Sequence, residues 1–146
     1  AAEVFIRLAD MGVEPYLISA SIIGAVSQRL IRRLCPNCQI EDEKAEEMLS
    51  TSGLAPETTN GFTFYKGKGC SRCNNTGYKG RTNVYEFLTV GERIKRGVLE
   101  GKNSAELKQI AVDGGMRPLE QVALQKAKDG VTSIEEILPM LMETAQ

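Results

Sequence analysis

Four cysteines, placed as two Cys-x-x-Cys pairs, constrain this chain more than any other feature. They are Cys35-Pro36-Asn37-Cys38 and Cys70-Ser71-Arg72-Cys73, and the sequence holds no others. A two-residue gap lets a tight turn aim both sulfurs at one ion at about 2.3 Å. Two such turns complete a tetrahedral four-thiolate shell with no open position for a substrate. The expectation is therefore one structural zinc ion on Cys35, Cys38, Cys70 and Cys73. A redox dithiol of the thioredoxin type normally carries a single pair at a helix start. Two disulfides would require an oxidising compartment, and Ala1 to Arg7 lack the basic start of a secretory leader.

Charge around the pairs agrees with a zinc tetrathiolate, whose formal charge is −2. Residues 28–40 and 61–85 contain no acid, yet hold Arg29, Arg32, Arg33, Lys66, Lys68, Arg72, Lys79 and Arg81. Cations beside thiolates favour the ionised form. The acids collect instead between the pairs, in the run that starts Glu41-Asp42-Glu43. A nucleic-acid-binding zinc ribbon is the alternative reading of the same cations. The net charge of −1 and sparse aromatics (Phe62, Phe64, Tyr65, Tyr78, Tyr85) weigh against it.

Histidine is absent, so no catalytic scheme with a histidine base is open to these residues. There is no Gly-x-x-x-x-Gly-Lys-Ser/Thr phosphate loop; Gly67-Lys68-Gly69 reads as a turn before Cys70. No apolar run approaches the roughly 18 residues of a spanning helix, so direct membrane insertion is not expected.

Composition divides the chain at about residues 34 and 90. In the first part a helix with Val4, Leu8 and Met11 on one side ends at Gly12. A second starts at Pro15 and is expected to end at Gly24. Residues 25–34 fit a helix and a strand about equally, with Val26, Leu30, Ile31 and Leu34 apolar. In the middle part Lys44–Leu49 reads as a short helix, and Phe62–Tyr65 and Arg81–Leu88 as strands. The last part is helical. Helices are expected over Glu92–Leu99, from a capping box at Asn103-Ser104-Ala105-Glu106 to Gly114, from Pro118 to Gly130, and from Thr132 onward. The final helix should face inward through Ile134, Ile137, Leu138 and Leu141. Because the opening residues already read as helix, the chain is expected to begin inside a domain.

Several longer stretches carry a family resemblance. Residues 8–18 (Leu-Ala-Asp-Met-Gly-Val-Glu-Pro-Tyr-Leu-Ile), the run Gln28 to Cys38, and Gly69-Cys70-Ser71-Arg72-Cys73-Asn74-Asn75-Thr76-Gly77-Tyr78-Lys79-Gly80-Arg81 resemble the ATPases of type II secretion and type IV pilus assembly. So do Gly115-Met116-Arg117-Pro118-Leu119 and Gly130 to Glu136. In that family a RecA-like core carries Walker A and B motifs, an Asp box and a His box, binds ATP and Mg2+, and powers a hexamer on the cytoplasmic face of the bacterial inner membrane. None of the four boxes is present in these residues.

The resemblance implies an α+β fold in four parts. Residues 1–34 would close the ATPase core, 35–80 form the tetracysteine zinc subdomain, 81–90 return a strand to the core sheet, and 91–146 form a C-terminal helical extension. It implies that Ala25–Leu34 is a strand and that Val84–Val90 pairs with it. It also implies a noncatalytic module whose partners are the other subunits of the hexamer and the inner-membrane platform protein, with no nucleic acid. No catalytic residue is assigned.

Overall fold

In the computed structural model, which describes residues 1–54 and 56–144, the chain is α+β. It has two two-stranded sheets and seven α-helices among the described residues. It divides into two compact units, residues 1–28 with 85–118 and residues 29–84 with 119–146.

The first unit contains helices α1 (Glu3–Asp10) and α2 (Pro15–Ser21), then α4 (Glu92–Leu99) and α5 (Ser104–Asp113). Proline at the start of α2 costs no hydrogen bond, because the first-turn N–H groups lack helical partners anyway. The box at the start of α5 forms: Asn103 Oδ1 accepts from Glu106 N at 2.8 Å, and Glu106 Oε2 accepts from Asn103 N at 2.9 Å. The core here includes Phe5, Ile18, Leu88, Ile94, Val98 and Leu107. Met11, grouped with Val4 and Leu8 on one side of α1, is 78% exposed, and Phe5 and Ala2 are buried. Ile22 is already extended, so α2 stops before Gly24. Gly24 begins a strand.

That strand, β1 (Gly24–Leu34), pairs with β4 (Tyr78–Thr89). Val90 N donates to Ile23 O at one end and Cys35 N to Gly77 O at the other, so the two run antiparallel. The periodicity of β1 was ambiguous between helix and strand because its apolar residues do not share a face. Ile31 and Leu34 are buried, while Val26 and Leu30 are 58% and 67% exposed.

The second unit adds β2 (Gln39–Glu41), α3 (Ala45–Ser50), β3 (Tyr65–Gly67), α6 (Leu119–Lys128) and α7 (Ile134–Thr144). The four C-terminal helices are thus shared out, α4 and α5 in the first unit, α6 and α7 in the second. Here Ile31, Leu49, Phe64, Leu124, Ile137 and Leu141 are among the core residues. The strand expected over Phe62–Tyr65 lies later, at Tyr65–Gly67. Phe64 instead inserts into the core at 4% exposure. On α7, Met140 is buried where Leu138 was expected.

Candidate metal centre

Each cysteine pair sits in a turn attached to a strand. Cys35 directly follows β1, and Cys38 N donates to Cys35 O to close the first turn. The second pair brackets a 3-10 turn, Ser71–Cys73, followed by Asn74 and Asn75 in the left-handed region at φ 55° and 62°. Asparagine tolerates that region better than most residues.

The long stretch between the pairs is closed by β2 and β3, which pair antiparallel with Gln39 opposite Gly67, Ile40 opposite Lys66 and Glu41 opposite Tyr65. Lys68 N donates to Cys38 O just beyond one end of this ladder, and Asp42 N to Phe64 O beyond the other. The short ribbon therefore delivers the second turn to the first.

Backbone contact then sets the turns against each other. A Cβ on Gly67 would lie 2.1 Å from Gly77 O and 2.4 Å from Gly77 Cα. Gly77 is itself fixed: its carbonyl accepts from Cys35 N at 3.0 Å and its N–H donates to Cys73 Sγ at 3.3 Å. Only two glycines permit this approach.

The four sulfurs all lie within 4.8 Å of one another. Cys35–Cys70 and Cys38–Cys73 are separated by 3.8 Å, and Cys70–Cys73 by 3.7 Å. A tetrahedron with metal–sulfur bonds of ~2.3 Å has edges of about 3.8 Å. No disulfide joins the four. Cys35 and Cys73 are 0% and 5% exposed, so an ion among them would be largely screened from solvent. The donor set and its dimensions fit zinc.

Hydrogen-bond donors surround the sulfurs. Gly69 N reaches Cys38 Sγ at 3.3 Å, Cys70 N reaches Cys73 Sγ at 3.3 Å, and Asn37 Nδ2 reaches Cys70 Sγ at 3.2 Å. Burial pushes the Cys73 thiol up, but the N–H groups of Cys70 and Gly77 and the thiols of Cys70 and Cys38 outweigh it, holding Cys73 down to about 6. The Asn37 amide, against the opposing effect of burial, lowers Cys70. Burial, reinforced by the neighbouring thiols, pushes Cys38 up to about 11 despite the Gly69 N–H. Metal bound here at neutral pH must displace the Cys38 proton. With thiolate ligands protons would compete with metal, so affinity is expected to be greatest at high pH and to fall as pH falls. A zinc competition titration from pH 8 to pH 5 is expected to show affinity dropping at every step. A pH-independent affinity would exclude thiolate ligation.

The centre is tied to α7 by contacts the sequence did not suggest. Tyr78, next to Gly77, shares a hydrogen bond of 2.5 Å with Ser133 Oγ, which also accepts from Glu136 N at 3.1 Å in the first turn of α7. Arg32 stacks its guanidinium 4.1 Å from the Tyr78 ring centre and pairs with Glu136 at 2.5 Å. Arg29 pairs with Glu143 at 2.8 Å. Two of the eight cations around the cysteines are thus neutralised by α7. Such pairs join residues about a hundred positions apart, and only a fixed tertiary arrangement reveals them.

Residues 1–139 match the family described as Type II/IV secretion system protein. The chain is 44% identical over 98% of its length to the Type IV pilus assembly ATPase PilB of Thermus thermophilus, covering 16% of that protein. It is 41% identical over 90% of its length to the protein of the same name from Myxococcus xanthus, covering 24% of it. Against the Type II secretion system protein E of Klebsiella pneumoniae it is 38% identical over 90% of its length, covering 26% of that protein. The chain therefore spans about a quarter or less of these relatives.

Proposed function

Since the chain belongs to the Type II/IV secretion system protein family, we propose that it is the zinc-stabilised C-terminal module of a secretion or pilus-assembly ATPase. The observation that carries this is the sulfur cluster: four thiols within 4.8 Å of one another, with three of their separations at the 3.7–3.8 Å edge of a zinc tetrathiolate.

On this reading Cys35, Cys38, Cys70 and Cys73 ligate one structural Zn2+. Four protein ligands fill the shell, so the ion activates no water and binds no substrate. Residues 35–80 are the metal subdomain. Residues 1–34 and 81–90 close the ATPase core through the β1–β4 pair, and 91–146 form the extension. ATP and Mg2+ act elsewhere in the full-length protein. The module contributes shape, with the zinc fixing the ends of a long excursion so that its surfaces keep their form while the motor works. Its partners are neighbouring subunits of a hexamer and the platform protein of the inner membrane, at whose cytoplasmic face it works. No helix among the described residues is long and apolar enough to cross a membrane.

The purified chain mixed with Mg-ATP is expected to release no phosphate above a protein-free blank. Turnover that survives further purification and scales with chain concentration would overturn the noncatalytic reading.

A further inference from the structure

A groove of about 360 Å3 opens in the second unit beside the first cysteine turn. Its charged lining is Arg33 and Lys79, with Pro36, Gln39 and Val131 among its walls and no carboxylate among the described residues. It is rigidly framed. Leu34 N donates to Val131 O at 2.9 Å, and Gln39 Nε2 to Gly130 O at 3.0 Å. Arg33 and Lys79 are exposed, and neither takes part in an ion pair among the described residues. Two unpaired cations on a preformed concave surface suit carboxylates.

The same unit carries the complement. Glu43, Glu46 and Glu47 are exposed, just before α3 and in its first turn. None of them forms an ion pair among the described residues either. The chain is nearly neutral as a whole, at −1, so these patches reflect segregation of charge rather than an excess of one sign. Two different, complementary patches on one chain are what a head-to-tail contact needs, and head-to-tail contacts are the kind that close into rings.

We propose that the Arg33–Lys79 groove receives the acidic α3 segment, Glu43 to Glu47, of a second copy of this chain. The inference rests on the ring-forming reading above and deepens it by naming the faces that meet.

Sedimentation velocity of the zinc-loaded chain tests it, at low salt and again at 0.5 M NaCl. Wild-type chain is expected to self-associate with rising concentration at low salt, and to lose this at high salt as screening sets in. R33E/K79E and, separately, E43K/E46K/E47K are each expected to associate about tenfold more weakly or worse. An equimolar mixture of the two variants should associate again, because each keeps the face the other lacks. Zinc content measured on the same samples shows whether the variants fold. A monomeric wild type at low salt overturns the inference, as does an R33E/K79E protein that associates like wild type. Binding of anionic vesicles or of an unrelated acidic peptide without self-association also overturns it. Full zinc loading in a chain that never associates would remove this inference and leave the metal-module reading intact. Absence of zinc would remove that reading as well.

Discussion

Cys73→Ser is expected to weaken metal binding severely and destabilise the second unit. Cys73 is buried at 5% exposure and takes N–H bonds from both Cys70 and Gly77. Serine keeps the size but ionises far less readily, so one corner of the tetrahedron becomes a buried neutral oxygen. The metal term is large, because zinc binding to structural sites amounts to ~10–16 kcal/mol of apparent free energy in small zinc domains. Losing about a third of that, roughly 3–5 kcal/mol, would lower the melting point of the second unit by on the order of 15–40 °C. Ser71→Ala, one residue into the same turn but exposed, should change little. Melting and metal content measured together decide the matter. A Cys73→Ser protein that melts with wild type would mean the cluster contributes nothing to folding.

Gly67→Val has a comparable expected effect by a different route. The new Cβ would meet Gly77 O at 2.1 Å and Gly77 Cα at 2.4 Å. Both atoms are backbone, so no rotamer change relieves the clash. Gly67 is held opposite Gln39 in the β2–β3 ladder, and Gly77 is held by its bonds to Cys35 and Cys73. One turn must move away from the other, and the four sulfurs with it. The expected cost is about 3–5 kcal/mol, in the range of severe steric substitutions, with weakened zinc affinity. Gly91→Ala is the control. A Cβ there meets nothing within 4 Å and the backbone is extended, so only its place as the N-cap of α4 should matter, at about 1 kcal/mol or less. Equal stability of the two variants would show that the Gly67–Gly77 approach does not hold the turns together.

The sequence made the four-cysteine set legible and left its assembly hidden. Cys-x-x-Cys spacing is local, and so is the capping box at Asn103; both form as expected. What closes the excursion is not local. Gln39-Ile40-Glu41 is too short and too mixed to announce a strand. Phe62-Thr63-Phe64 announces one strongly through its aromatic and β-branched residues, yet burial of Phe64 in the core moves the paired residues on to Tyr65–Gly67.

Gly24 shows the same limit. Glycine commonly ends helices, but α2 had already stopped, and Gly24 lies under the ring of Phe87, where an added Cβ would come within 3.1 Å. The basic residues near the cysteines were visible as a group, while their separation into neutralised and unpaired members was not. Arg29 and Arg32 find glutamates on α7, whereas Arg33 and Lys79 line a groove. A one-dimensional pattern carries charge and period, but not which distant residue will stand opposite.

The central claim is that four thiolates hold one structural zinc. X-ray absorption at the zinc edge, with metal analysis of the same purified chain, tests it most directly. The account predicts one zinc per chain and a single shell of four sulfurs at about 2.3 Å. A folded chain without metal, or a shell containing oxygen or nitrogen in place of sulfur, would contradict it.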